Sequence, residues 1–441
     1  MLGGEARRIP DPAAAHPPTE VPMPDFDPER VRPRFPALAT TVAGRPAVFL
    51  DGPGGTQVPE PVIEAVSAYY REANSNTGGA FLTSRRTDET IAAARAALGA
   101  FLNAPSPAEI KFAANMTSHT FAVSRAVGAT LEPGDEVVVT TLDHEANVSP
   151  WAALAERGVV VRTVDIRPED CTLDLGSLDR ALGPRTRVVA VGYASNAVGT
   201  VNDVEAVCAR ARAVGAISYV DAVHFAPHGA IDVQRLGCDA LVCSTYKFFG
   251  PHLGVLWMRP ELLERLPAYK VRPAEDRVEL GTLNHEGLAG AAAAVGYLEA
   301  IGLEQLATVP AAGAEPGPRR ALEAAMAAIA RHESGLGRRL LEGLDRVGGV
   351  RVYGIRDPGQ LHRRVPTVAI TVAGRSPRTV AAALGAEGIF VWDGDFYAQA
   401  LIERLGLLAG GGVVRLGLVH YNTAAEVDRT LAALERIAAP S

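Results

Sequence analysis

The sequence contains few cysteines, no long apolar run and no excess of basic residues. Its four cysteines include no CxxC pair, so we expect neither a disulfide framework nor a cysteine-built zinc site, and no metal is predicted. No apolar run approaches the roughly 18 residues of a membrane-spanning helix, and MLGGEARRIPDPAAAHPP at the start lacks the apolar segment of a secretory signal. A net charge of −7 argues against a nucleic-acid partner. Together these absences predict a soluble, cytoplasmic protein that binds neither membrane nor nucleic acid.

The composition is that of an ordinary globular protein. Of the 441 residues, 48% are hydrophobic and 21% are charged, which excludes a disordered chain. The length favours two or three domains of roughly 150 residues each. Prolines are concentrated at the start, where a side chain without an amide donor disfavours regular structure. We predict a proline-rich N-terminal arm over residues 1–46, irregular at least as far as Pro24, which is either plain surface chain or a segment lying across a partner subunit.

Short apolar runs alternate with alanine-rich helical stretches from Ala47 onward. The pattern predicts strands at Val137–Thr141, Val159–Val164, Val188–Tyr193, Ile217–Val220 and Ala240–Cys243, and helices at Thr90–Leu102, Val204–Val214 and Leu288–Ile301. Strands that are apolar throughout and separated by helices indicate βαβ units and a buried, mainly parallel sheet with helices on both faces. We therefore predict a large α/β domain over residues 47–302.

Residues 303–441 are predicted to form a linker and a smaller α+β domain. The linker is the Ala-, Gly- and Pro-rich stretch Ala307–Pro318. Strands and helices then mix, which is typical of α+β architecture. The predicted helices are Arg320–Val347, Arg378–Glu387 and Ala424–Ile437, and the predicted strands are Val365–Val372, Ile389–Trp392 and Val413–Val419.

Polar side chains follow three of the predicted strands. Asp221 ends one apolar run, Lys247 follows a second, and Asn196 follows a third. Ligands of open α/β sheets bind at the carboxyl ends of strands. A lysine and a carboxylate placed there suit pyridoxal phosphate, which needs a lysine for its covalent link and an acid beside its ring nitrogen. An Asp–Lys ion pair at a sheet edge fits the spacing equally well.

Seven motifs, taken in order, resemble the class V aminotransferase family, and most of all its cysteine desulfurase and selenocysteine lyase branch. The resemblance runs from about Phe49 to Ile437. It implies a fold-type I, aspartate-aminotransferase-like fold, pyridoxal 5'-phosphate as cofactor, an amino-acid substrate and a homodimer with active sites at the subunit interface. The motifs are FLDGPGGTQVP (Phe49–Pro59), LDHEANVSPW (Leu142–Trp151), SNAVGT (Ser195–Thr200), VDAVHFAPHGAIDV (Val220–Val233), STYKFFGPHLG (Ser244–Gly254), LGTLNHEG (Leu280–Gly287) and VVRLGLVHYNTAAEVDR (Val413–Arg429).

The resemblance also implies roles for single residues around the cofactor ring. Lys247 is the position of the covalent link, and Asp221 pairs with the ring nitrogen. His144 is the histidine that stacks on the ring and could also move protons. Asn196 hydrogen-bonds the phenolic oxygen, and His224 stands where relatives commonly carry glutamine, either of which can donate to that oxygen.

Further roles concern the phosphate and the substrate. Asn115–Ser118 precedes an apolar helix predicted at Thr120–Leu131, so its amides and hydroxyls suit an anion, although helix capping explains the same residues. Tyr246 replaces a histidine that is usual in the desulfurases. Arg415 matches the arginine that binds the substrate carboxylate. The expected phosphate-binding residues are Met116, Thr117, Ser118, Ser244, Tyr246 and, from the neighbouring subunit, Thr282; the expected substrate-binding residues are Arg415, Asn196 and Tyr397.

The segment WDGDFYA, Trp392–Ala398, departs from the desulfurase pattern. Alignment on Gly394 places the sulfur-accepting cysteine of the desulfurases at Tyr397, and no cysteine follows Cys243. Without a thiolate at that position, sulfur transfer to the protein has no nucleophile. We therefore predict a pyridoxal-phosphate-dependent lyase that cleaves the C–S bond of an S-substituted cysteine, or of a cysteine-like amino acid, by β-elimination without a protein persulfide.

Other reactions fit the same residues. One alternative is oxygen-dependent decarboxylating deamination of an S-cysteine conjugate, as in related enzymes of lincosamide-like antibiotic biosynthesis. Desulfurase-like, epimerase and aminotransferase activities are further alternatives within the fold. A non-catalytic scaffold is the alternative from another class, but such a protein would not need Lys247, Asp221 and Arg415 together.

Overall fold

The computed structural model describes residues 26–271, 277–308 and 316–439. The irregular part of the predicted N-terminal arm, up to Pro24, and most of the predicted linker Ala307–Pro318 lie outside the described residues. The helices of the described residues are α1 (Pro28–Val31), α2 (Glu60–Glu72), α3 (Leu82–Leu102), α4 (Met116–Gly128), α5 (Ser149–Ala152), α6 (Leu175–Ala181), α7 (Val204–Ala213), α8 (Val233–Leu236), α9 (Pro260–Arg265), α10 (His285–Leu306), α11 (Pro318–Leu344), α12 (Pro377–Ala386), α13 (Gln399–Arg404) and α14 (Ala424–Ala438).

The strands of the same residues belong to two main sheets and three short pairs. They are β1 (Thr41–Val42), β2 (Arg45–Pro46), β3 (Val48–Phe49), β4 (Ile110–Ala113), β5 (Glu136–Thr140), β6 (Val160–Val164), β7 (Ile166–Arg167), β8 (Thr172–Leu173), β9 (Thr186–Gly192), β10 (Ile217–Asp221), β11 (Ala240–Ser244), β12 (Gly254–Met258), β13 (Val350–Tyr353), β14 (Thr367–Val372), β15 (Ile389–Phe390), β16 (Trp392–Gly394) and β17 (Val413–Gly417).

The larger sheet has seven strands in the order β4-β12-β11-β10-β9-β5-β6. The strands from β11 to β6 are parallel, and β12 runs antiparallel to β11 and β4. All five strands predicted for the first domain lie in the parallel part, so the mainly parallel α/β fold is confirmed. Every residue of β11 and β12 is buried, which is why these strands read as unbroken apolar runs. The pattern did not single out β4 and β12, although GVLWM in β12 is such a run.

The smaller sheet is antiparallel and has the order β13-β14-β17-β16. Helices α11, α12 and α14 pack with it around a hydrophobic cluster of their own, which includes Leu340, Ile370 and Leu434. This confirms the smaller C-terminal α+β unit. The domain boundary at residue 302 stays a prediction; α10 continues across it as far as Leu306.

One predicted strand of the smaller unit is wrong. Ile389–Trp392 was expected to form a single strand, but Ile389–Phe390 pairs in parallel with β3, whereas Trp392–Gly394 pairs antiparallel with β17. The chain changes its pairing partner at Val391, and both partners are distant in sequence, so no local pattern reveals the change. The result places Trp392 directly opposite Arg415.

The helices in the described parts of the chain include none with the length and apolar character needed to cross a bilayer. In the same parts, no group of three or more His, Cys, Asp or Glu side chains is arranged to hold a metal ion.

Candidate active site

The parallel strands β5, β9, β10 and β11 end at the same edge of the larger sheet, and a cavity of about 280 Å³ lies there. This is the position at which open α/β sheets bind ligands. Its wall is completed by the smaller sheet, which contributes Arg415 from β17 and the segment around Trp392. The lining contains these predicted site residues: Met116, Thr117, His144, Asn196, Asp221, His224, Tyr246, Lys247, Tyr397 and Arg415.

Three predicted residues do not line this cavity. Ser244 is the buried last residue of β11. The hydroxyl of Ser118 donates to Oδ1 of Asn115, and this side chain borders a different surface depression. Thr282 is exposed in the segment before α10, beside Lys270. A phosphate contact of Thr282 in a neighbouring subunit stays a prediction.

Lys247 and Asp221 contribute an amine and a carboxyl to the cavity lining, and each shifts the pKa of the other. Burial, followed by the charge of Arg415, lowers the pKa of the Lys247 amine from 10.5 to about 7, whereas Asp221 raises it. The amine donates to the carbonyl of Pro53. Burial raises the pKa of Asp221 to about 6, against a hydrogen bond of 2.9 Å from the amide of Val223 and the charge of Lys247. Lys247 therefore has a substantial neutral fraction at neutral pH.

His144 follows β5 and lines the cavity with a neutral ring. Burial, followed by the charges of Lys247 and Arg415, lowers its pKa to about 4. Its Nδ1 accepts a hydrogen bond of 2.9 Å from the amide of Ala146. Because one nitrogen of a neutral imidazole is a donor and the other an acceptor, the proton lies on Nε2. The ring is thus a flat surface with one available N–H donor.

The predicted start of the next helix is wrong, because α4 begins at Met116 and not at Thr120. Asn115 caps it: its Oδ1 accepts from the amide of Ser118 at 2.8 Å. The amides of Met116 and Thr117 belong to the first turn, where a helix supplies no acceptor of its own. A Cβ on Gly254 would lie 2.3 Å from the carbonyl carbon of Asn115, so only glycine lets β12 approach this helix start. The amides of Met116 and Thr117 are therefore held in a fixed position at the wall of the cavity.

Arg415 is buried at the centre of β17 and reaches the loop that follows β9. Its Nη1 donates to the carbonyl of Asn196 at 2.9 Å, and its Nε is buried without an acceptor among the described residues. Burial lowers its pKa to about 9. The carboxyl of Asp51 interacts with this charge, but burial raises the pKa of Asp51 to about 6. Arg415 thus lacks a hydrogen-bonded carboxylate partner in the described residues.

His224 follows β10, Asn196 follows β9, and both residues line the cavity. Nε2 of His224 is 3.0 Å from Oγ1 of Thr367 in β14, and burial lowers the pKa of His224 well below 6.5. The Nδ2 of Asn196 donates to the carbonyl of Phe396 at 2.9 Å, which leaves its Oδ1 buried without a described partner. Both side chains are held by the smaller unit while they face the cavity.

Besides the predicted Tyr397, the segment WDGDFYA brings two aromatic residues to the cavity, Trp392 and Phe396, that were given no role from the sequence. The ring of Phe396 covers Arg415, with 4.0 Å between the guanidinium carbon and the ring centroid. Tyr397 is 69% exposed, and its ring centroid is 5.4 Å from that of His144. Asp51 in FLDGPGG, whose charge acts on Arg415, was also missed. The available signal was a charged residue directly after an apolar run.

All four cysteines belong to the described residues, and the cavity lining contains none of them. Each is fully buried, and burial raises the pKa of every one of these thiols. Small apolar packing accounts for all of them.

Comparison with known proteins identifies the family. The family model described as aminotransferase class-V matches residues 48–312 and 320–430. A cysteine desulfurase of Pectobacterium carotovorum is 33% identical over 429 residues, covering 93% of this chain and 97% of the relative. A probable cysteine desulfurase of Xylella fastidiosa is 31% identical, covering 96% of this chain and 97% of the relative.

Solved structures are similar over the same length. The apo cysteine desulfurase of Thermococcus onnurineus superposes with a TM-score of 0.82 at 28% identity, covering 93% of this chain and 98% of the other. A cysteine desulfurase of Escherichia coli superposes with a TM-score of 0.77 at 27% identity, again covering 93% and 98%. The chain therefore belongs to the class-V aminotransferase family, and within it to the cysteine desulfurase-like enzymes, which depend on pyridoxal phosphate.

Proposed function

We propose that the protein is a pyridoxal-phosphate-dependent lyase that cleaves the C–S bond of an S-substituted cysteine without forming a persulfide on the protein. One observation carries the proposal: the cavity combines Lys247, Asp221 and Arg415 with a lining that contains none of the chain's cysteines. Sulfur transfer to the protein needs a thiolate of the protein close to the bound substrate. Loss of a thiol from the substrate does not, since the leaving sulfur already carries its substituent.

The residues of the cavity fit pyridoxal phosphate. The first-turn amides of Met116 and Thr117, together with the Thr117 hydroxyl, suit the phosphate group. The buried carboxyl of Asp221 suits the ring nitrogen, and the flat ring of His144 suits the cofactor face. Lys247, with its lowered pKa, suits the covalent link. The buried Nε of Arg415, without a described acceptor, suits a substrate carboxylate.

When bound, pyridoxal phosphate supplies an electron sink that makes the α-hydrogen of an attached amino acid acidic. Arg415 binds the α-carboxylate and so orients the Cα–H bond toward Lys247. The neutral amine of Lys247 accepts the α-proton, and Asp221 holds a negative charge next to the ring nitrogen. The neutral ring of His144 would lie against the face of the cofactor, and its Nε2–H is available as a donor. Overall, an S-substituted cysteine and water give a thiol, pyruvate and ammonia.

We also propose that the protein is a homodimer. Several large apolar side chains are exposed on α2, at the start of α3 and near Thr282, where a partner subunit would cover them. These are Ile63 at 41%, Tyr70 at 55%, Phe81 at 57%, Leu82 at 55% and Leu280 at 52% exposure. Leu280 borders the same depression as Thr282, so a partner that covers it would also contact Thr282, which supports a contact of Thr282 with the partner's cofactor.

Product analysis tests the proposed reaction. The holoenzyme is incubated in air with L-cysteine and with a panel of S-alkyl and S-aryl cysteines, and the products are resolved by mass. We expect thiol and pyruvate in equal amounts from at least one S-substituted cysteine. With free cysteine we expect no alanine, because alanine with sulfur transfer requires a protein thiolate.

Two other outcomes contradict the proposal and name its replacement. Alanine formation from free cysteine, with sulfur left on the protein, would support the desulfurase activity for which the relatives are named. A product that has lost CO₂ and depends on O₂ would support decarboxylating deamination, the reaction expected of an antibiotic-pathway enzyme.

The lowered pKa of Lys247 predicts how apoprotein regains its cofactor. Only the neutral amine attacks an aldehyde, so the attachment rate should rise with pH and reach its midpoint near 7, where Lys247 titrates, and not near 10.5. Stopped-flow absorbance after mixing apoprotein with pyridoxal phosphate measures this midpoint. In Arg415→Gln the midpoint should move upward, because the charge that favours the neutral amine is gone. A midpoint above 9 in the unmodified protein would contradict the prediction.

A further inference from the structure

The guanidinium of Arg415 has one edge engaged and one edge available. Nη1 donates to the carbonyl of Asn196 at 2.9 Å, whereas Nε is buried without an acceptor in the described part of the chain. A carboxylate binds a guanidinium through two parallel hydrogen bonds along one edge. The edge formed by Nε and Nη2 is therefore the one that a substrate carboxylate can use, provided that the guanidinium plane keeps its orientation.

The guanidinium carbon of Arg415 lies over the ring of Phe396. Its centroid is 4.0 Å from the guanidinium carbon, well within the range of a cation–π contact. The ring packs against the guanidinium, whose Nη1 donates to the carbonyl of Asn196 and not to the ring. Phe396 therefore restrains rotation of the guanidinium while both hydrogen atoms of the available edge remain unused.

The backbone that carries Phe396 is held in an unfavourable conformation. Phe396 and Tyr397 have φ values of 56° and 57°, a left-handed region that is unfavourable for a non-glycine residue. Hydrogen bonds from the larger unit hold this turn: Asn196 Nδ2 donates to the Phe396 carbonyl at 2.9 Å, and the Glu145 amide donates to the Tyr397 carbonyl at 2.7 Å. Such strain persists only where the surroundings enforce it.

We propose that Phe396 is a positioning residue that holds the guanidinium of Arg415 with its Nε–Nη2 edge toward the substrate carboxylate. The inference rests on the proposed function only in taking an α-amino acid as substrate. It assigns Phe396 to carboxylate recognition, through which it acts on the reacting bond only by way of Arg415. Substitution should therefore weaken binding of amino acids more than it lowers kcat.

The experiment measures binding by the absorbance change of the holoenzyme. The probes are S-ethyl-L-cysteine and its carboxamide, which lacks the charge that Arg415 recognises. In Phe396→Leu, which keeps an apolar side chain without a ring, the Kd of the amino acid should rise about fivefold. The Kd of the carboxamide should change less than twofold. Phe396→Tyr keeps the ring and should bind both probes as the unmodified protein does.

A double-mutant cycle separates positioning from a general loss of structure. In the Arg415→Gln background, Phe396→Leu should cause no further weakening of amino-acid binding, because its effect acts through Arg415. Equal losses for amino acid and carboxamide, or full additivity with Arg415→Gln, would overturn the proposal. If the unmodified protein binds S-ethyl-L-cysteine but releases no thiol, the lyase function fails while the role of Phe396 is still tested by the same titrations.

Discussion

Replacing Lys247 with alanine should lower kcat for S-substituted cysteines by at least about a thousandfold, since general-base groups contribute about 10²–10⁴ and the covalent link is lost as well. The amine is the one basic nucleophile in the described lining whose pKa, about 7, leaves it partly neutral at neutral pH. Thiol release under saturating substrate measures the loss. Cofactor absorbance should show that pyridoxal phosphate is bound without a covalent link.

Two variants and a rescue experiment show whether the loss of activity is due to the missing amine of Lys247. Lys247→Arg keeps a positive charge but supplies neither nucleophile nor base, so it should lose as much activity as the alanine variant. Added methylamine should restore part of the activity to Lys247→Ala, because the amine enters the space that the side chain leaves. If Lys247→Ala retains more than about a tenth of the kcat, another base acts on the α-proton.

Asp221→Asn should lower kcat by about a hundredfold or more, a loss comparable to removing one electrostatic contact from a developing charge. Asparagine has the shape of aspartate and can still accept from the Val223 amide, which the carboxylate contacts at 2.9 Å. The fold should therefore survive, and only the negative charge beside the ring nitrogen is lost. Steady-state thiol release measures kcat, and circular dichroism checks the fold.

A matched control is available on the surface of the same protein. Asp203 caps α7 by accepting from the amide of Ala206 at 3.0 Å, so Asp203→Asn makes the same chemical change at an exposed residue outside the cavity lining. Its kcat should stay within twofold of the unmodified value. Equal activity of Asp221→Asn and Asp203→Asn would show that the charge of Asp221 plays no part in turnover.

The strand ends of the larger sheet are the part of the site that sequence reasoning predicts best. Val137–Thr141, Ile217–Val220 and Ala240–Cys243 are short buried strands with an abrupt change to polar residues, and in the structure their ends meet at one edge. The apolar runs arise because both faces are covered. Local pattern and tertiary position agree there, so the placement of Asp221 and Lys247 at this edge followed from the sequence.

The contribution of the smaller sheet could not be predicted in the same way. The contact of Phe396 with Arg415 and the hydrogen bond from Asn196 depend on how two sheets pack, across 200 residues in the case of Asn196 and Phe396. The left-handed turn at Phe396 and Tyr397 contains neither glycine nor asparagine at these two positions, so its residues carry no local signal for it. Tertiary contacts alone enforce it.

The buried cysteines have a practical consequence for spectroscopic work on this protein. Burial raises the pKa of Cys171 and Cys208 to about 11, so at pH 8 only about one such thiol in a thousand is the reactive thiolate. Cys238 and Cys243 are buried as completely. A maleimide dye should therefore label a cysteine introduced on the surface and spare the native ones. Dye pairs placed on the two sheets would report their separation during turnover without removal of any native residue.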